Sequence, residues 1–356
     1  YGYIPAPSSI YRGIFKLPAG HNLLLKLPDL QVCRQKYWEF VLEPFERIPP
    51  DPESAWGEEI RALLAAAVRR RLMADVPLGV FLSGGIDSSS VAALAVAAIG
   101  GEKVKSFSIG FEEESFDESR YARRAADFLG TQHSLKVLSM EGSRELLPSI
   151  IRKLDEPMGD SSLLPTYLLC RETRQEVTVA LGGDGGDELF AGYDPFRALR
   201  WAQLYEKFIP RTIHAAIRLV AARLPTSFAN LSLDFKIKRA LRGLSYPRFL
   251  WNSVWLGPLE PSELEDLFRE PTDIEEVYEE AIQAWENCPQ TDLIDKTLQF
   301  YVNLYLQDDI LVKADRASMM NSLEVRSPFL DIDLVNFVRR IPSSYKFRQG
   351  QTKYLL

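Results

Sequence analysis

The sequence predicts an α/β protein: a doubly wound parallel sheet, a mainly helical C-terminal half and a short β segment at the N-terminus. Three observations predict it. Short apolar runs alternate with amphipathic helical stretches from Ser54 to Leu181, which is the pattern of right-handed βαβ units with helices on both faces of a parallel sheet. Beyond Ala191 the strand pattern stops, and residues 194–346 read as mainly helical. Residues 1–50 resemble neither part, because Pro5, Pro7, Pro18 and Gly20 separate short β-type runs suited to hairpin strands.

Pro49, Pro50 and Pro52 then suit a linker. In SAWGEEIRALLAAAVRRRLM, Ser54 is the expected N-cap of a helix, and Ile60, Leu63, Leu64, Ala67 and Val68 form its apolar stripe. LGVFL (78–82) is a strand, SSVAALAVAAI (89–99) a helix and VKSFSIGF (104–111) a strand. ESRYARRAADFLG (118–130) is a helix closed by Gly130. HSLKVL, helices through 146–154 and 163–171, and the strand VTVALG (177–182) complete the series. Ligands of such sheets bind at the carboxyl ends of the strands.

Composition narrows the function. At 356 residues the chain exceeds one ordinary core, and 46% hydrophobic with 26% charged residues describes a globular protein. A net charge of −7 and a pI near 5.3 argue against a general nucleic-acid binder. Cys33, Cys170 and Cys288 are widely spaced and lack a CxxC pattern, so neither a disulfide framework nor a thiolate metal cage is expected, and a reducing compartment is. His21, His133 and His214 lie too far apart to suggest a metal site or a Ser-His triad. No apolar run reaches the roughly 20 residues of a membrane span, and no signal pattern opens the sequence; a cytoplasmic protein without a membrane partner is expected.

The most informative stretch is PLGVFLSGGIDSSSVAAL, 77–94. Gly84 and Gly85 let a ligand approach the main chain, while Ser83, Ser88 and Ser89 flank a helix start whose free N–H groups favour an anion. A phosphate fits there. Asp87 suits such a site only if a cation lies between, and Mg²⁺ commonly takes one or two carboxylates plus phosphate oxygens. Neither GxxxxGK[ST] nor GxGxxG is present, so the loop is not a Walker A or a dinucleotide fingerprint.

Two further constellations carry charge. LGGDGGDELFAGY (181–193) places Asp184, Asp187 and Glu188 within five residues at the end of a predicted strand; beside a triphosphate such carboxylates hold Mg²⁺ or move protons. In KADRASMMNSLEVRSPFLD (313–331), Lys313, Arg316 and Arg326 can offset phosphate and carboxylate charge, and Glu324 can orient an arginine, the alternative being a solvated helix face. In LDEPMGDSS, Asp155, Glu156, Asp160 and Ser161 are candidates for an acceptor pocket, with helix capping the alternative for the last two.

FLSGGIDSS on a first strand resembles the pyrophosphate loop of the N-type ATP pyrophosphatases. SFSIGFEEESFDESRYARRAADFLGTQH, LDEPMGDSSLLPTYLL, LGGDGGDELFAGYD and DDILVKADRASMMNSLEVRSPFLD narrow the resemblance to the synthetase domain of glutamine-dependent asparagine synthetases. The opening YGYIPAPSSIYRGIFKLPAGH resembles the last strands of that family's glutaminase domain. The resemblance implies an adenine nucleotide α-hydrolase-like fold, with residues 1–50 the tail of a glutaminase-type domain and linker and 51–356 the synthetase-type domain. It implies ATP and Mg²⁺, with Asp87 and Asp187 as metal ligands and Leu82, Ile109, Gly182 and Gly183 beside the nucleotide. Asp184 stands where many members have a proton-managing Glu and is one methylene shorter.

The reaction implied is adenylation of a side-chain carboxylate, most directly that of aspartate, followed by attack of ammonia derived from glutamine. Arg316, Glu324 and Arg326 join Asp184 as expected catalytic residues. Alternatives are a ligase or cyclase acting on a β-lactam precursor, sugar or peptide acceptor, or an ATP-binding regulator without turnover. Residue 1 is Tyr where the family's glutaminase has its nucleophilic Cys, so this chain is expected to use ammonia. The sequence stops at TKYLL, before the family's Lys that contacts the intermediate, and Lys353 lies near that segment without matching it. A homodimer is the family expectation.

Overall fold

The computed structural model describes residues 1–227 and 232–356, the side chains of Glu102 and Met140 excepted. An antiparallel hairpin, β1 (His21–Lys26) and β2 (Gln31–Lys36), pairs His21 with Lys36 as expected. Residues 1–20, read from sequence as containing further β-type runs, contain no strand. They dock irregularly instead: the Tyr1 hydroxyl accepts from Ala281 N–H at 3.0 Å, and Ala6 N–H donates to Asp308 Oδ2 at 3.1 Å.

The first long helix, α1 (Pro52–Arg71), buries Trp56, Ile60, Leu64, Ala67 and Val68 along one stripe. Its N-cap is Asp51 rather than Ser54, whose N–H is the donor to the Asp51 carboxylate at 3.3 Å. The reason lies in Pro52: its preset φ and missing N–H suit the first helical position, so this proline belongs to the helix rather than to a linker.

Five parallel strands follow: β3 (Leu78–Phe81), β4 (Lys105–Phe111), β5 (Gln132–Leu138), β6 (Val179–Leu181) and β7 (Glu324–Arg326). Their order across the sheet is β5-β4-β3-β6-β7. The helices α2 (Ile86–Ile99), α3 (Ser119–Leu129) and α4 (Leu163–Arg174) connect them. Strands buried on both faces need no alternation, which is why LGVF and VAL read as short continuous apolar runs. Val80, Leu181, Val91 and the α1 stripe share one core that runs into the helical half through Phe190, Phe196, Tyr301 and Phe329.

β7 corrects the expectation that strands end at Ala191. It pairs with β6, Val179 opposite Glu324. Three residues, Glu-Val-Arg, are too few to show a period, and it is the open edge of β6 that makes them a strand. The helical half is otherwise as expected, and its long run through residues 293–319 contains a π-helical segment, Tyr301–Ile310. The expected helix through 146–154 shortens to Leu147–Ile151. Among the described residues no helix is long and apolar enough to cross a membrane.

Candidate functional site

β3 is the point at which the strand order reverses, with β4 on one side and β6 on the other. The loops leaving β3 and β6 therefore diverge, and a crevice forms at the carboxyl ends of the strands. A cavity of about 470 Å³ occupies it. Leu82, Ser83, Asp87, Ser88, Ile109, Gly182, Gly183, Asp184 and Asp187 all stand on its wall. These nine sequence-selected residues come from three separate segments, and the sheet brings them together.

The loop after β3 is held by its own hydroxyls. Ser83 N–H donates to Ser88 Oγ at 3.1 Å, the two hydroxyls bond at 3.0 Å, and Gly85 N–H donates to Ser83 Oγ at 3.2 Å. The serines thus shape the loop instead of presenting free hydroxyls to a ligand. What the loop offers an anion is the first-turn N–H groups of α2, which starts at Ile86 and has no intrahelical acceptor for them. Gly84 has φ +82°, and a Cβ there would lie 2.6 Å from Ala122 N in α3. Only glycine allows both the turn and the approach of α3. Gly84, Gly85 and Ser89 lie in the loop or first turn but off the cavity wall.

On the β4 side of the crevice, Leu82 N–H donates to Phe107 O at 2.9 Å, and β3 pairs with β4 only as far as Phe107. Ser108 and Ile109 run past the end of β3, so their main-chain edge on that side faces the cavity. Cys170 also reaches the wall, but burial pushes its thiol up to about 12, and it is an inert packing group.

Asp87 and Asp187 meet across the crevice because Gly186 has no side chain: a Cβ there would stand 2.5 Å from Asp87 Cγ. Burial raises the Asp87 carboxyl to about 6, against the opposing pull of Lys353. Asp87 Oδ1 is buried without a hydrogen-bond partner. Among the described residues no group of three or more His, Cys, Asp or Glu could enclose a metal ion. Two carboxylates with an unsatisfied oxygen, beside an anion-binding loop, fit a Mg²⁺ ion that completes its shell with phosphate oxygens and water.

Asp184 is half-buried on the cavity wall; burial raises its pKa while Lys313 and the Ser327 hydroxyl pull the other way. Lys313 lines the cavity and donates to Asp160 Oδ2 at 2.8 Å and Ser162 Oγ at 2.7 Å. Burial opposes the Asp160 charge, yet Lys313 and Ser162 hold the carboxyl below its ordinary range. Asp160 thus acts as the partner of Lys313 and does not cap α4, whose N-cap is Ser162 without a side-chain cap; the Ser162 N–H donates to Asp160 Oδ1 at 2.8 Å ahead of the helix.

Other selected residues do not reach this cavity. Val325 lines it, so its strand neighbours Glu324 and Arg326 point to the opposite face. Arg326 donates to the carbonyls of Arg71 and Met73, each at 2.8 Å, and pairs with Glu324 at 2.7 Å. Arg316 forms a two-pronged pair with Asp155 at 2.9 and 2.8 Å. Glu156 pairs with Lys16 at 2.7 Å, and Ser161 is exposed.

Glu188, already in the sequence's carboxylate cluster, gains its partner in three dimensions, and Tyr193 and Lys353 gain importance only there. Glu188 is buried on the wall, where burial raises it to about 7 and the Tyr193 hydroxyl donates to it. Tyr193 stacks at 4.9 Å on Tyr301 of the π-helical segment. Lys353 bonds both Asp87 and Asp187. DELFAGY in the sequence contains the first two, whereas nothing local marks Lys353.

The asparagine synthase family model matches residues 59–356. A Mycobacterium tuberculosis (strain ATCC 25618 / H37Rv) protein assigned by name to the glutamine-hydrolyzing asparagine synthetases is 33% identical over 360 residues, covering 99% of this chain and 53% of that protein. Asparagine synthetase (glutamine-hydrolyzing) 1 of Bacillus subtilis (strain 168) is 31% identical over 359 residues, covering 100% of this chain and 54% of that protein. Amidase chry2 of Gibberella zeae is 29% identical over 372 residues, covering 96% and 54%. The chain thus spans about half the length of these relatives. With the match extending from α1 through the cavity to the last residue, the chain belongs to the asparagine synthase family.

Proposed function

We propose that the chain is the ATP-dependent synthetase part of an amide-forming ligase that adenylates the side-chain carboxylate of aspartate and transfers ammonia to it. The observation that carries this reading is one cavity holding the α2 anion site, the Asp87 and Asp187 carboxylates and the Lys313 cation together. A carboxylate is a poor acylating agent at neutral pH. Its attack on the α-phosphorus of ATP forms an acyl–O–P bond and breaks the bond to pyrophosphate; ammonia then forms the C–N bond, AMP leaves and a proton is lost.

The loop 83–89 receives the departing pyrophosphate on the N–H groups of the first turn of α2. Asp87 and Asp187 would hold Mg²⁺, which neutralises phosphate charge when bound. Lys313, adjacent to Asp184 on the wall, offers a cation to an acceptor's carboxylate. Glu188 and Tyr193 give the same wall a proton-holding pair. The glutamine-hydrolyzing names of relatives support glutamine as the nitrogen source of the whole protein. The hairpin supports a neighbouring domain at the N-terminus: Leu24 is 58%, Leu27 75% and Val32 59% exposed, more apolar surface than a two-stranded ribbon leaves uncovered when stable.

A different acceptor is the second reading, favoured by the short Asp184 and by relatives named amidases. The test is exchange of labelled pyrophosphate into ATP with Mg²⁺ and aspartate, glutamate, β-amino acids or no acid. Exchange with aspartate alone, and asparagine on adding ammonium, is expected. Exchange only with another acid moves the substrate, and ATP binding without any exchange removes the ligase reading.

A further inference from the structure

Lys353 reaches the site from 166 positions beyond Asp187, by the numbering of the chain. Its Nζ bonds the Asp87 carboxylate and lies 2.7 Å from Asp187 Oδ1. The side chain is only 14% exposed. The contact is built into the surrounding backbone. Lys353 N–H donates to Phe190 O at 3.1 Å, which ties it to the same DELFAGY segment that supplies Asp187. Its φ of +52° is left-handed, a conformation unfavourable for a lysine and held here by its surroundings. Gly192 leaves the space through which the lysine passes, since a Cβ there would overlap both the Lys353 stem and Asp187 Oδ1.

Two carboxylates this close repel one another unless a cation lies between them. The ammonium supplies one positive charge to two acids and leaves Asp87 Oδ1 without a partner. The seat is therefore filled by a single charge and remains one donor short. A divalent cation could satisfy it better only if the ammonium moves, and a buried ammonium moves at low cost only towards another anion.

We propose that Lys353 is the resident cation of the Asp87–Asp187 pair, a tethered stand-in that a divalent cation replaces when the phosphates of the nucleotide arrive to take the ammonium. The proposal rests on the reading of these two acids as cation holders. It makes divalent-cation binding conditional on nucleotide, so that the site does not fill with metal alone.

The test is a titration with Mn²⁺ followed by the electron paramagnetic resonance of the free ion, with and without α,β-methylene-ATP, which cannot be cleaved at the reacting bond. Without nucleotide, Lys353→Met and Lys353→Gln are expected to bind Mn²⁺ at least about tenfold more tightly than the unmodified chain, since an opposing charge at ion-pair distance is removed. With the analogue the unmodified chain binds Mn²⁺ and the gap closes. Near-ultraviolet circular dichroism identifies a variant that has lost its packing, and the second variant then carries the comparison. Equal Mn²⁺ affinity of the chain and a folded variant without nucleotide overturns the role of Lys353, while Mn²⁺ binding with the analogue still supports the carboxylate pair. No Mn²⁺ binding in any state, unchanged by Asp87→Asn, overturns the pair itself.

Discussion

Lys313 and Asp160, 153 positions apart, form an ion pair of 2.8 Å at the rim between the sheet and the long helix. Their side chains are only 11% and 13% exposed. Removing one member strands the other's charge, which costs about 3 kcal/mol in such settings. Lys313→Met is expected to lose about that much stability, and Asp160→Asn/Lys313→Met to recover part of it. Urea unfolding of the four proteins measures the coupling; a value near zero would mean that water already screens the pair.

Gly84 is a backbone requirement of the loop. An alanine there must hold φ +82° and intrude on the main chain of α3 at Ala122. The left-handed conformation costs about 1–2 kcal/mol and overpacking about 1–3 more. Gly84→Ala should therefore lose roughly 2–5 kcal/mol of stability, together with ATP binding. Chemical denaturation combined with nucleotide titration checks both, and an alanine variant with native stability would contradict the close approach of α3.

Asp309 gives the pH dependence a definite sign. It is 5% exposed with Oδ1 unpartnered, and burial, reinforced by Asp160 and opposed by Lys313, raises it to about 7. The native state keeps this proton up to about pH 7, while the unfolded chain releases it near pH 4. Between those values the native state binds more protons, so this group's contribution to stability falls as pH rises. Asp309→Asn should match the unmodified protein near pH 4 and exceed it at pH 8 by on the order of 4 kcal/mol. Thermal unfolding across pH decides it, and a gain independent of pH would mean an ordinary carboxyl.

Arg326 and Glu324 separate a structural role from a chemical one. Arg326 ties β7 to the end of α1 through the Arg71 and Met73 carbonyls. Arg326→Ala is expected to cost about 2 kcal/mol of stability, given charged hydrogen bonds of about 1.5–3 kcal/mol each, while pyrophosphate exchange per folded molecule stays within about twofold. A hundredfold loss of turnover at unchanged stability would place the guanidinium in the chemistry instead.

The sheet was legible because parallel strands buried on both faces leave continuous apolar runs, as LGVF does, and because Gly130 closes α3 in the left-handed conformation, φ +67°. The loop after β3 was legible because its glycines and serines are local in sequence. Arg316, Glu324 and Arg326 were not separable from Lys313 in the same way, since a mixed-charge run gives no direction for its side chains. That direction depends on strand alternation in β7, and β7 exists only by pairing with β6.

The sequence by itself determined the α/β alternation and the glycine turn into α2, which follow from local backbone preference and short-range pattern. Tertiary structure alone decided that Lys313 pairs with Asp160, that Glu188 and Tyr193 share one wall, and that Lys353 sits between the two acids. These contacts join residues from elements remote in the chain. Their energy comes from burial and charge compensation, which depend on what surrounds a group after folding and have no local signature in the chain.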